Sequence, residues 1–150
     1  KSSTQLPLVV VGKQTDYTEE VIAKINEYNL GSQVALLQNV NFLDLPSIYQ
    51  SANLFVYPSF FEGFGIPVLE ALYSQIPVIS ATGSCLEEAG GPNSIYVDPK
   101  DTEQMALEID RVIEDSDLQL EMKQKGLEYA KRFTLEKQAK EVLEVYEELF

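Results

Sequence analysis

The sequence predicts an α/β fold, a doubly wound parallel sheet of the Rossmann-like kind with a helical C-terminal segment, and three observations predict it. Short runs rich in β-branched residues alternate with amphipathic stretches over residues 6–97. The connections are short and carry Gly, Pro and Asn, so the strands are best joined in parallel through helical crossovers. From residue 101 onward the periodicity is helical, which adds cover to the sheet rather than further strands.

The first strand is expected over residues 6–11, ending at Gly12 and Lys13. In the helix that follows, Asp16 and Glu19 have capping-box spacing, Val21, Ile25 and Tyr28 share a face beside Ile22, and Gly31 stands as the C-terminal stop. A second strand over 33–37 runs into the loop 38–41, after which Asp44 caps a short helix through Ile48, Tyr49 and Ala52 with Pro46 early in it. Residues 53–57 form an apolar strand stopped by Pro58. The next helix begins at Ile66 or Pro67, because proline is tolerated in a first turn where its missing N–H has no partner to lose.

Residues 76–80 read as a strand, 81–84 as a turn-rich loop, 86–89 as one helical turn, 90–93 as a break and 94–97 as a last strand. Asp101 and Gln104 have capping spacing before Met105, Ile109 and Val112. Asp117 opens a second helix to about Lys131, and Thr134 opens a third with Ala139, Val142, Val145 or Tyr146, and Leu149 on one side. The charges on these helices read as solvated faces.

The chain has 150 residues and a net charge of −13, enough length for one domain with a sizeable core and the wrong sign for a surface that gathers nucleic acid. With no His it lacks the usual general base and the commonest transition-metal ligand, so no metal site is expected. The single thiol, Cys85, permits no internal disulfide; it reads as a small buried apolar residue in a reducing compartment. No segment approaches the about 18 apolar residues that span a bilayer, and no signal peptide is evident, so a cytoplasmic location is expected. The start at Lys1, without Met, predicts a piece of a longer protein.

In doubly wound sheets, ligands lie beyond the carboxyl ends of the strands, which selects the loops at 12–13, 38–41, 59–65 and 81–84. The third opens the stretch Phe-Phe-Glu-Gly-Phe-Gly-Ile-Pro-Val-Leu-Glu-Ala at 60–71. Glycines before a helix start offer unpaired amides and partial positive charge to an anion such as phosphate. Glu62 and Glu70 flank that start with seven residues between them. Two carboxylates beside a phosphate repel it, so they are useful if they accept hydrogen bonds from neighbouring hydroxyls, as vicinal sugar diols supply. A nucleotide sugar fits. The plainer reading, two solvated acids on a loop and a helix, stands beside it on spacing alone.

The segment at 43–71, together with Ile-Pro-Val-Ile-Ser at 76–80, Ile-Tyr-Val-Asp-Pro at 95–99 and the closing Phe133 to Lys137 and Val145-Tyr146, resembles the C-terminal domain of retaining glycosyltransferases of family 4, GT-B fold. The resemblance covers nearly the whole chain, and its long motif is highly specific. It implies binding of a UDP- or GDP-sugar and transfer of a hexose with retention of configuration, without a metal or cofactor. Glu62 would be the catalytic contact to donor-sugar hydroxyls and Glu70 would hold the ribose. The loop glycine Gly63 and the amides of Phe64, Gly65, Ile66, Val68 and Leu69 would approach the diphosphate and sugar, and Gln38, Asn39 and Val40 would border the base. The transition state would be oxocarbenium-like, stabilised by preorganised donors.

Two departures from the family bear on this. The Arg and Lys that grip the diphosphate lie upstream of residue 6 in the family, as does a whole N-terminal acceptor domain; both are expected as parts of the full-length enzyme, and the isolated chain is expected to be inactive. In the donor-binding loop at Gly12 and Lys13, Lys13 is the nearest cation, although it reads equally as a solvated loop residue. Gln38 stands where the family usually has Gly. A non-catalytic nucleotide-binding or regulatory module of the same fold is the alternative; against a receiver-like or flavodoxin-like domain, the loops of this sequence show no acidic cluster with a partner lysine.

Overall fold

The computed structural model describes residues 4–149, so Lys1, on which the expectation of a longer protein rests, lies outside them. Among the described residues the order is β1 (Leu8–Gly12), α1 (Tyr17–Glu27), β2 (Val34–Gln38), a 3-10 turn (Phe42–Asp44), α2 (Leu45–Ser51), β3 (Phe55–Tyr57), α3 (Ile66–Tyr73), β4 (Val78–Ala81), α4 (Leu86–Gly90), β5 (Ile95–Val97), α5 (Thr102–Glu114), α6 (Ser116–Ala130) and α7 (Leu135–Leu149). Every ladder is parallel, as alternation of strand and helix requires. The fold is the expected α/β, Rossmann-like class.

The strands do not form the one continuous sheet that was expected. β1 pairs with β2, from Leu8 opposite Val34 to Gly12 opposite Gln38, and β3, β4 and β5 form a separate three-stranded sheet. Both sheets begin with an edge that has no ladder partner among the described residues, at β1 and at β3. The burial differs accordingly. All of β4 is buried, whereas every residue of β1 is exposed and α1 buries none of its side chains.

The core lies on both sides of β4. Val78 packs with Val68, Ala71 and Leu72 of α3, Leu86 and Ala89 of α4 and Ala130 of α6. Ile79, its neighbour pointing to the other face, packs with Val97, Val112 and Met122. Gly126 of α6 lets α3 approach closely, since a Cβ there would stand 2.8 Å from Leu72 Cδ2.

Several helix ends differ from expectation, each for a local reason. The left-handed residue that stops α1 is Asn29, φ +55°, not Gly31. The Leu30 and Asn29 amides donate to the Ile25 and Asn26 carbonyls in a Schellman arrangement, which Asn tolerates because of its short polar side chain. The Asp16 side chain makes no cap bond; Thr18 Oγ1 accepts from the Thr15 amide instead. Asp44 also makes none, because the helical turn starts earlier and Asn41 caps it, accepting from the Leu43 amide at 3.0 Å. Asp115, not Asp117, caps α6 by accepting from the Leu118 amide at 2.9 Å. Asp101 caps α5 as expected, accepting from the Gln104 amide at 2.9 Å.

Candidate functional site

Helix α3 sets the geometry. Ile66 and Pro67 occupy its first turn, and Gly65 before them has φ +112°, a conformation L side chains rarely adopt. The position is also crowded, since a Cβ on Gly65 would meet Leu86 Cδ2 at 2.7 Å and Ala89 Cβ at 3.1 Å. Helix α4 therefore pins the start of α3. The Gly65 carbonyl accepts from the Val68 and Leu69 amides at 2.9 and 3.4 Å, while the amides of Phe64, Gly65 and Ile66 have no protein acceptor among the described residues. These are the orphan donors of a helix start, with the positive end of its dipole.

The two glutamates flank this start, each half-buried and each held by a phenol. Tyr57, the last residue of β3, donates its O–H to Glu62 Oε1 at 2.7 Å. Tyr49 of α2 donates to Glu70 Oε2 at 2.9 Å. Burial first, then the bond to Glu62, pushes the Tyr57 phenol up to about 12. Burial and then Glu70 push Tyr49 up as well. Both phenols are thus protonated donors at neutral pH.

Glu70 also lines an open cavity of about 230 Å³ whose other walls include Phe42, Leu45, Tyr49 and Tyr73. Cys85, expected as a buried apolar residue, is only half-buried. At the N-cap of α4 its Sγ–H reaches the Glu62 carbonyl at 3.2 Å and ties that loop down. Beyond β4, Glu87 Oε1 accepts from Thr82 Oγ1 at 2.6 Å and from the Gly83 amide at 2.8 Å, which hold its carboxyl below the usual range, Thr82 most.

The predicted site residues fall into two groups. Glu62, Gly63, Phe64, Gly65, Ile66, Val68, Leu69 and Glu70 gather around the start of α3. Gly12, Lys13, Gln38, Asn39 and Val40 gather at the carboxyl ends of β1 and β2, where Gly12 is paired with Gln38 and Asn39 turns the chain at φ +57°. No hydrogen bond joins the groups among the described residues, and Lys13 is exposed without an ion pair. The described residues include no cluster of three or more metal-ligating side chains, and no helix among them is long and apolar enough to cross a membrane. Sequence reasoning missed Tyr49, Tyr57 and Cys85. The only signal for them was the position of Tyr57 at a strand end five residues before Glu62.

Comparison with known proteins extends the geometry. Over 103 residues the chain is 35% identical to O-antigen chain mannosyltransferase B of Escherichia coli, and over 94 residues it is 36% identical to O-antigen chain mannosyltransferase RfbU of Salmonella typhimurium. These alignments cover 69% and 63% of this chain, which spans 27% of each relative. Among solved structures, sucrose-phosphate synthase from Thermosynechococcus elongatus superposes with a TM-score of 0.85 and 27% identity, over 95% of this chain and 38% of that one. The C-terminal domain of a glycosyl transferase group 1 family protein from Francisella tularensis gives 0.75 and 29%, over 83% of this chain and 68% of that one. The Anabaena protein HepE in complex with UDP has the same fold, with a TM-score of 0.90 at 22% identity over 98% of this chain and 42% of that one. The model of the family "Glycosyl transferases group 1" matches residues 1–129, and the chain belongs to that family, with the GT-B kind of fold.

Proposed function

We propose that residues 1–150 form one donor-binding domain, the C-terminal half of a retaining glycosyltransferase of family 4, which holds a UDP- or GDP-sugar for transfer of its hexose. The observation that carries this reading is the placement of Glu62 and Glu70 on either side of three unpaired amides at the start of α3, in a member of this family. The diphosphate lies over the amides of Phe64, Gly65 and Ile66, Glu70 takes the ribose hydroxyls, and Glu62 takes hydroxyls of the transferred sugar. Gln38, Asn39 and Val40 border the base, and Lys13 adds positive charge. Preorganised amides favour the charge that develops on the leaving diphosphate.

In the reaction the bond from the anomeric carbon to the diphosphate breaks, and a bond to the acceptor oxygen forms on the same face. The acceptor proton passes to the leaving diphosphate, which suits a chain without His. The acceptor and the remaining diphosphate cations come from an N-terminal domain and an upstream segment of the full-length enzyme, working in the cytoplasm. The mannosyltransferase relatives and the complex of HepE with UDP-glucose support a hexosyl donor.

Two substitutions in the full-length protein test this. Glu62→Ala is expected to cut turnover far more than nucleotide affinity, and Glu70→Ala to weaken binding of the nucleoside diphosphate itself. Equal losses for Glu62→Ala would make it a general binding residue, and unchanged affinity for Glu70→Ala would remove the ribose assignment. Nucleotide binding without any turnover would return the chain to a non-catalytic nucleotide-binding module.

A further inference from the structure

A glutamate carboxylate sits at the end of three rotatable bonds, and freezing it in one rotamer costs side-chain entropy. Both site glutamates meet this cost with the same device, a phenol O–H on one carboxylate oxygen. The phenols themselves are rigidly mounted. Phe55 and Tyr57 lie on one face of β3 with centroids 5.7 Å apart and planes at 17°, and Tyr49 meets Phe55 edge-on at 5.4 Å. All three rings pack against the core cluster that contains α3 and α4. One aromatic unit from α2 and β3 therefore serves both carboxylates.

Resting on the donor-site reading, we infer that Tyr49 and Tyr57 are positioning residues: each phenol fixes one oxygen of Glu70 and Glu62 respectively and leaves the other for a ligand hydroxyl. Glu62 Oε2 and Glu70 Oε1 have no protein hydrogen-bond partner among the described residues, as this requires. A phenol suits the task better than a cation. It orients the carboxylate through a neutral donor and brings no opposing charge to the oxygen left for a sugar hydroxyl. The division of labour is specific, with Tyr57 acting on sugar recognition through Glu62 and Tyr49 on the nucleotide through Glu70.

The experiment is calorimetric titration of the full-length protein and its Tyr49→Phe, Tyr57→Phe, Glu62→Ala and Glu70→Ala variants, and the Tyr57→Phe/Glu62→Ala double variant, with UDP, UDP-glucose, GDP and GDP-mannose, alongside thermal unfolding. Phenylalanine keeps the ring packing, so thermal midpoints are expected within a few degrees of the wild type. Tyr49→Phe is expected to weaken the nucleoside diphosphate and its sugar alike, by about tenfold. Tyr57→Phe is expected to leave the nucleoside diphosphate unchanged and to weaken the nucleotide sugar by about fivefold, with no further loss in the Glu62→Ala background, where the phenol has no carboxylate to hold.

If the glutamate variants lose affinity while both tyrosine variants match the wild type, the positioning role is wrong and the donor site stands. Tyrosine variants that weaken every ligand in step with a fallen midpoint reveal packing residues and also overturn it. If the wild type binds none of the four nucleotides, or the glutamate variants bind as the wild type does, the donor-site reading fails and the positioning role fails with it.

Discussion

Gly65 and Leu86 stand so close that a Cβ on the glycine would lie 2.7 Å from the leucine Cδ2, and the glycine backbone is at φ +112°. Steric exclusion and backbone strain therefore act on the same residue. Gly65→Ala is expected to lower the unfolding free energy by about 3 kcal/mol and to displace the loop that carries Glu62. Urea denaturation measures the first effect. A variant as stable as the wild type would show that α4 can retreat at no cost.

Leu72 and Gly126 form the matching contact between α3 and α6. Leu72 is 2% exposed, so Leu72→Ala is expected to cost about 3 kcal/mol through the void it leaves. Gly126→Ala forces the leucine aside and is expected to cost about 2 kcal/mol. In the double variant the added methyl enters the void, so the combined loss is expected to be smaller than the sum; strict additivity in denaturant titrations would contradict the contact.

The two aspartates at the start of α6 are expected to behave differently. Asp115 accepts from the Leu118 amide, so Asp115→Ala is expected to cost about 1 kcal/mol. Asp117 makes no cap bond and its replacement is expected to stay within about 0.5 kcal/mol. Thermal melts of the two variants decide between them, and a larger loss at Asp117 would reverse the assignment.

Tyr96 donates its O–H to the Gly91 carbonyl at 2.6 Å and joins β5 to the end of α4. Burial is the main cause that raises its phenol to about 12 from the usual 10. As pH rises through that window the unfolded chain loses its proton first, so the folded state binds more protons and the unfolding free energy falls. Tyr96→Phe is expected to be less stable than the wild type by about 1 kcal/mol at neutral pH. Tyr49 and Tyr57 titrate in both proteins, so the wild-type advantage over Tyr96→Phe isolates this phenol, and it is expected to shrink from pH 10 to 12. A difference that stays constant over this range would mean that the Tyr96 phenol titrates alike in the folded and unfolded chains, against the upward shift.

Local chemistry made much of this legible in the sequence. Pro67 marked the first turn of α3, Asp101 faced the Gln104 amide, and Glu62 and Glu70 stood on either side of a glycine-led helix start. The misplacements arose where two neighbours suit one role. Asn29 and Gly31 both tolerate the left-handed region, and an aspartate at either 115 or 117 has the side chain that caps a helix, so one or two residues of register decided which of each pair takes the role. What the sequence did not contain was tertiary. The Tyr49–Glu70 bond joins residues 21 apart, and the interrupted ladder depends on which strands become neighbours; neither leaves a local pattern.

The free edge of β1 bears on the behaviour of the chain in concentrated solution. Leu8, Val9, Val10 and Val11 are each 36–55% exposed, carry no charge or proline, and belong to a strand hydrogen-bonded on one side only among the described residues. Such an edge is a template for pairing with an identical strand from another molecule. The net charge of −13 opposes aggregation over most of the surface but places no side chain on this stretch. Charge repulsion therefore opposes self-association less at this edge than along the acidic helices.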